Sequence, residues 1–101
     1  MIARVWRGWT AAEDAEAYAD YVERSGMSAA REVTGNRGAY VLRRLDGERA
    51  EFVTVLLWES LDAVRAFAGD DLERAVFFPE DGRYLVERDL VVTHYEATSA
   101  G

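Results

Sequence analysis

Residues 50–58 constrain the fold more than any other part of this sequence, because they form a strand that is apolar on both sides. Side chains alternate between the two faces of a β-strand, so the segment has one aliphatic face and one face that mixes aromatic and polar groups. The aliphatic face consists of Val53, Val55 and Leu57, and the mixed face of Phe52, Thr54, Leu56 and Trp58. Such a strand needs cover on both sides and belongs at the centre of a sheet.

The segments around this strand predict the order β-α-β-β-α-β. Strands are predicted at residues 2–9, 39–45, 50–58 and 86–96, with helices at residues 11–25 and 61–68 and a short helix near residues 70–76. Thr10 with Glu13 forms a capping-box pattern, Gly26 is a stop signal, and Ser60 can cap the second helix. Asp46-Gly47 is a hairpin signal, and Asp81-Gly82 a turn signal. The order predicts one α+β domain over residues 1–101, with an antiparallel, four-stranded ferredoxin-like sheet.

The second face of that sheet predicts a partner. If both helices cover one face, the other face exposes apolar side chains to water, and a large exposed apolar patch marks an interface. A two-fold pair with its sheets face to face solves this problem, so we expect a homodimer. The alternative is a monomer in which the loops around Met27 and Phe77 cover that face.

Composition narrows the possible functions. A net charge of −7 argues against nucleic-acid binding, and the absence of cysteine removes disulfides, thiolate catalysis and cysteine-bound metals. One histidine with scattered carboxylates does not predict a metal site, and neither a glycine-rich phosphate loop nor a GxSxG elbow is present. The apolar run is too short to span a membrane, and no signal peptide is recognisable, so we expect a cytoplasmic protein.

Several segments, in this order and spacing, resemble the antibiotic biosynthesis monooxygenase family of dimeric α/β barrels. They are Ile2-Ala3-Arg4-Val5-Trp6-Arg7-Gly8, Gly35-Asn36-Arg37-Gly38, Trp58-Glu59-Ser60, Phe77-Phe78-Pro79-Glu80-Asp81 and His94-Tyr95-Glu96. The resemblance covers most of the chain and implies a homodimer with a cavity between sheet and helices in each subunit. It implies less about the reaction, because such folds host oxygenases, heme-degrading enzymes, isomerases and proteins of no known activity.

Heme degradation fits this sequence poorly. The heme-degrading relatives use an asparagine on strand one, a tryptophan after strand three and a histidine late in helix two. Trp58 matches the tryptophan, but strand one lacks the asparagine and the region around Phe77 and Phe78 lacks the histidine. We therefore expect no cofactor.

Candidate site residues follow from the alternation along the strands. Arg4 and Trp6 share a face of strand one, and we expect the mixed faces of the sheet to line the cavity and the aliphatic faces to lie under the helices. Arg4 and His94 are the candidate catalytic residues, as stabilisers of a substrate anion. The candidate substrate-binding residues are Trp6, Trp58, Asn36, Tyr40 and Arg43. Each has a structural alternative: core packing for the aromatic residues, a turn for Asn36, and ion pairs with Glu51 or Glu87 for the arginines.

Two functions remain open. The first is a cofactor-independent monooxygenase for a phenolic or polycyclic aromatic substrate of polyketide type, in which the deprotonated substrate itself reduces dioxygen. The second is a non-catalytic dimeric module that binds a small apolar ligand or a partner protein. A base or an anion stabiliser inside the cavity would distinguish the enzyme from the binding module.

Overall fold

The computed structural model describes residues 1–99 as a five-stranded antiparallel sheet with helices packed against one face. The strands are β1 (Ile2–Ala11), β2 (Asn36–Asp46), β3 (Arg49–Trp58), β4 (Leu85–Arg88) and β5 (Thr93–Glu96). Their order in the sheet is β2-β3-β1-β4, and β5 also pairs with β1. This order confirms the ferredoxin-like α+β fold, with β1 and β3 at the centre.

The last strand is the main departure in the sheet, because residues 86–96 form two strands rather than one. Between β4 and β5 the chain leaves β1 and pairs instead with the segment after the second helix. The Val92 N–H donates to the Glu73 carbonyl at 2.7 Å, and the Ala75 N–H donates to the Leu90 carbonyl at 3.0 Å. The prediction of a short helix near residues 70–76 is therefore wrong, because backbone groups of Glu73 and Ala75 bond to residues 90–92 instead of to one another.

The first helical segment is longer than predicted. It comprises a 3₁₀ turn (Ala12–Asp14), α1 (Ala15–Val22), a π-helical turn (Glu23–Met27) and α2 (Ser28–Arg31). Gly26 does not stop it, because continuing the helix buries Met27 and Ala30 in the core. The predicted capping box is absent, since Thr10 belongs to β1 and its hydroxyl donates to the Ala11 carbonyl.

The second helix agrees with its sequence signals. The Ser60 Oγ accepts the Ala63 N–H at 3.2 Å, and α3 (Leu61–Ala68) ends at Gly69 with φ of 84°. The hairpin after Asp46 is present, with Gly47 at φ 64°. A single turn, α4 (Asp81–Tyr84), forms where the sequence indicated only a turn. None of the helices in residues 1–99 is long and apolar enough to cross a membrane.

The mixed face of β3 lies under the helices. Phe52 and Trp58 are fully buried there, and the Tyr18 ring of α1 packs edge-on against Phe52 with ring centres 4.9 Å apart. The expectation that the aliphatic face lies under the helices is therefore wrong: cavity and helices share the mixed face, where aromatic side chains fill the space between the two layers.

The opposite face of the sheet is uncovered. Val53, Val55 and Leu57 are only partly buried, and neighbouring Tyr40 and Leu42 are 51% and 53% exposed. The loops around Met27 and Phe77 do not reach it, since Met27 is in the core under the helices and Phe77 packs against Trp6. The structure thus contradicts the monomer covered by its own loops, and it leaves an apolar sheet face open.

Candidate functional site

A narrow cavity lies between the sheet and the helices. Its floor is the inner face of β1 and β3, its roof is the segment around α1 and the π-helical turn, and residues 75–78 close one side. Aromatic rings dominate the wall, and two buried charged side chains, Arg4 and Asp81, reach it. The cavity volume is about 50 Å³. The inward alternation of β1 places Arg4 and Trp6 on this floor, as the sequence predicts.

Arg4 is the most unusual group in the cavity, because it is a guanidinium only 3% exposed. Its Nη1 donates to the Leu72 carbonyl at 2.6 Å and its Nη2 to the Arg74 carbonyl at 2.8 Å. No carboxylate in residues 1–99 forms an ion pair with it; Glu51 pairs with Arg44 and Glu87 with Arg49. Burial lowers the pKa of Arg4 to about 10, so the side chain remains charged at neutral pH without a counter-charge.

His94 lies behind Arg4 on β5 and does not line the cavity. Its Nε2 is 3.1 Å from the Arg4 Nη1. A guanidinium can only donate, so Nε2 must accept, and His94 is a neutral imidazole with its proton on Nδ1. Burial and then the Arg4 charge lower the pKa of His94, which agrees with this tautomer. The structure therefore brings the two candidate catalytic residues together, with His94 positioned to orient Arg4.

Trp6 forms the aromatic wall with residues that the sequence did not identify. The Trp6 and Phe77 rings meet edge to face with centres 6.2 Å apart, and Phe67 and Phe78 complete the wall. The Trp6 Nε1 donates to the Asp89 carbonyl at 2.8 Å, which fixes the indole plane. A Cβ atom on Gly8 would overlap this indole, so a larger residue there would have to displace Trp6.

A buried tyrosine–carboxylate pair occupies the wall near α4, and the sequence reading missed it. The Tyr18 hydroxyl lies 3.4 Å from the Asp81 Oδ1, and the Phe78 N–H donates to the Asp81 Oδ2 at 2.6 Å. Burial raises the pKa of Asp81, although both donors and the more distant Arg88 oppose this shift. Burial also raises the pKa of Tyr18, followed by the effect of Asp81. Tyr18 and Asp81 are 63 residues apart, so spacing alone could not connect them.

The remaining candidates do not line the cavity. Trp58 is fully buried, stacks against Phe67 at 5.4 Å, and its Nε1 has no hydrogen-bond partner within residues 1–99. The Asn36 side chain fixes the start of β2: its Oδ1 accepts the Gly38 N–H at 3.1 Å, and its Nδ2 donates to the Gly38 carbonyl at 3.3 Å. Tyr40 points to the open face of the sheet because it pairs with Val55. Arg43 forms an ion pair with Glu16 at 2.8 Å and is not among the residues that line the cavity.

The described lining of the cavity offers neither a cluster of metal-binding side chains nor a histidine. No group of three or more metal-binding side chains occurs within the described chain. Histidine is a common axial ligand of heme iron, and none lines this cavity. The only histidine directs its free ring nitrogen at Arg4.

Comparison with solved structures identifies the class of fold. The chain is similar over its whole length to a proposed antibiotic biosynthesis monooxygenase from Bacillus cereus, with a TM-score of 0.68 at 15% identity, covering 100% of this chain and 96% of that one. A proposed antibiotic biosynthesis monooxygenase from Nitrosomonas europaea has a TM-score of 0.66 at 15% identity, and the match covers 98% of this chain and 100% of that one. The heme-degrader MhuD of Mycobacterium tuberculosis, solved with two hemes in its active site, gives 0.61 at 17% identity, covering 100% and 99%.

These likenesses confirm the sequence resemblance at the level of the fold. No protein-family model matches the chain, and no curated protein matches its sequence. The structural likenesses alone show that the chain has the fold of the antibiotic biosynthesis monooxygenases. A shared fold does not determine the activity, which depends on the residues that line the cavity.

Proposed function

We propose that this protein is a cofactor-independent monooxygenase that binds a phenolic or polycyclic aromatic substrate of polyketide type between its sheet and its helices. The observation that carries the proposal is Arg4, a buried cation that forms no ion pair within residues 1–99 and lies in an aromatic-walled cavity. An isolated buried charge is costly unless a partner compensates it. An anionic aromatic ligand would supply that partner.

Arg4 retains the donors for such a ligand. A guanidinium has five N–H bonds, and three of them are engaged by the Leu72 carbonyl, the Arg74 carbonyl and His94. The two that remain can bind a phenolate or enolate oxygen, and His94 together with the carbonyls fixes their direction. A fixed donor aimed at developing negative charge stabilises it more than water does.

Once the substrate is deprotonated, its reaction with dioxygen needs no redox group from the protein. A deprotonated anthrone-like phenol can reduce dioxygen itself, so the protein has to bind the ring, stabilise its anion and exclude water. Trp6 and Phe77 would hold the ring, since aromatic rings favour edge-to-face and offset contacts. The apolar character of the wall keeps water away from the reacting carbon.

The size of the cavity adds a requirement. Benzene occupies a protein cavity of roughly 150 Å³, about three times the 50 Å³ present here. An aromatic ring can therefore enter only if side chains in the wall at residues 75–78 move outward, while the Leu72 and Arg74 carbonyls stay on Arg4. Residues 75–78 have no regular secondary structure and lie between two anchors: the Arg74 carbonyl, which accepts from Arg4, and the Glu80 N–H, which donates to the Tyr21 hydroxyl at 2.9 Å.

We further propose that the open sheet face pairs with the same face of a second copy. The face carries Tyr40 and Leu42 on the edge strand β2 and Val53 and Val55 on β3, while ion pairs such as Arg44–Glu51 and Arg49–Glu87 lie toward the hairpin end of the face. An apolar centre with a polar rim is the usual composition of a stable interface. The cavities, which lie on the other face, would remain separate.

Oxygen uptake tests the proposed reaction. Wild-type protein given a hydroxyanthrone should consume dioxygen and form the anthraquinone faster than the spontaneous reaction, with no added metal or cofactor. Arg4→Gln should lower the rate ~100-fold or more, as removal of an oxyanion donor typically does. Arg65→Gln, which changes an exposed arginine on α3, is the matched control. If the wild type binds the ring system without oxidising it, the binding module replaces the enzyme.

A further inference from the structure

We propose that Asp81 is the base that accepts the substrate's proton, and that Tyr18 positions it. The inference rests on the proposed function, which otherwise contains an anion stabiliser but no group to receive the proton. Asp81 is 5% exposed and reaches the same cavity as Arg4. The two charges form no ion pair with each other or with any other residue of the described chain, so each is available to a ligand.

The geometry of Asp81 leaves it able to accept. An ionised carboxylate offers about four acceptor positions, of which the Phe78 N–H and the Tyr18 hydroxyl use two. The Phe78 contact is local and holds the turn before α4. The Tyr18 contact crosses from α1, so it fixes the carboxylate at the cavity wall rather than simply closing a turn.

The surroundings of Asp81 favour proton uptake. Tyr18 faces Asp81 from α1, and Tyr21 lies beside Tyr18 with its hydroxyl on the neighbouring Glu80 N–H. Arg88 acts on Asp81 from β4 through its charge, and Phe78 donates from the preceding turn. Burial is the largest of these influences, and it raises the pKa of Asp81 above the usual value of 3.8. A carboxylate in such surroundings is a stronger base than one in water, and a base is most effective when its pKa approaches the working pH.

In the proposed reaction dioxygen is the oxidant and the substrate carbon is oxidised. Asp81 takes a proton from the activated CH₂ group or hydroxyl of the substrate, and the electron pair of the broken bond stays in the ring as an anion held by Arg4. One electron passes to dioxygen, and the radical and superoxide combine in a C–O bond. Asp81 returns its proton to the outer peroxide oxygen. Loss of water then leaves the carbonyl of the quinone.

A chromophoric phenol tests the proton acceptor without any turnover. 4-Nitrophenol is yellow only when ionised, so it can be bound at a pH below its own pKa. The wild type should bind it as the yellow anion without releasing a proton to the buffer, because Asp81 keeps the proton. Asp81→Asn preserves an oxygen for the Phe78 N–H but cannot take the proton. Its bound phenol should stay colourless or release the proton to the buffer.

Turnover gives the second readout. The rate with a hydroxyanthrone should fall as the pH drops through the Asp81 pKa, because the protonated acid cannot act as a base. Asp81→Asn should lose this pH dependence together with ~100-fold of the rate. Tyr18→Phe removes a donor that favours the charged form, so the fall should move to higher pH. Asp62→Asn, on the exposed side of α3, should behave as the wild type.

The failures are distinguishable. If the wild type binds 4-nitrophenol as its protonated form, or if Asp81→Asn behaves as the wild type in both assays, Asp81 is not the proton acceptor, while the proposed oxygenase stands. If the wild type binds neither 4-nitrophenol nor a hydroxyanthraquinone, the cavity is not an aromatic site, and the proposed function falls with it.

Discussion

Leu56→Ala should lower the stability of the protein by about 3 kcal/mol. Leu56 is 4% exposed and lies on the inner face of the central strand, beside the cavity. The change removes roughly three buried carbon groups at ~0.8 kcal/mol each. It also enlarges the neighbouring cavity, because the surrounding side chains cannot close fully around the missing atoms. The total loss in the free energy of unfolding therefore falls within the usual ~2–5 kcal/mol for this substitution.

Thermal and urea denaturation measure this loss directly. A domain of this size loses ~4–8 °C of melting temperature per kcal/mol, so Leu56→Ala should melt ~12–24 °C below the wild type. Leu61→Ala is the matched control, because Leu61 is 46% exposed at the start of α3. It should melt within a few degrees of the wild type. Equal shifts in the two variants would refute the assignment of the mixed face of β3 to the core.

Three further changes test other parts of the structure. Leu56→Asp should prevent folding, because an unpaired charge at this buried position costs as much as a domain's whole stability; a soluble variant with a normal melting curve would contradict the strand assignment. Leu42→Glu should dissociate the proposed dimer in sedimentation while Leu61→Glu leaves it intact, and a monomeric wild type would remove the interface. The pKa of His94 is lowered in the folded protein, so the unfolded chain binds this proton more tightly. The contribution of His94 to the free energy of unfolding should therefore be fully present above pH 6.5 and be lost as the pH falls through the folded pKa. His94→Gln should flatten this part of the urea-derived stability curve, and an unchanged curve would show that His94 is not the group responsible.

The alternation of side chains along the strands was enough to predict that Arg4 and Trp6 share the floor of the cavity. Arg4 and Trp6 share a face because side chains repeat every two residues along β1, and the hairpin fixes β2 against β3. Alternation could not tell which face the helices cover. Tyr40 was therefore assigned to the cavity, whereas its pairing with Val55 places it on the open face.

The rest of the site depends on contacts between distant segments. Residues 70–76 have helical spacing, yet their backbone groups pair with residues 90–92, and this tertiary pairing overrides the local preference. The same rearrangement brings the Leu72 and Arg74 carbonyls to Arg4 and places Phe77 against Trp6. In the sequence Asp81 belongs to a turn signal and to a segment that resembles the family, and its position at the cavity wall appears only with Tyr18 beside it.

Equilibrium binding of a hydroxyanthraquinone tests the central claim most directly, because this ligand has the proposed shape and charge but is already oxidised. Titration followed by calorimetry and by tryptophan fluorescence should show one site per chain, with the indole of Trp6 responding. Arg4→Gln should weaken binding at least tenfold, a loss of ~1.4 kcal/mol or more, while Arg65→Gln should bind as the wild type does. Equal affinity in the wild type and Arg4→Gln, or no binding to the wild type, would contradict the claim that this cavity is built for an aromatic anion.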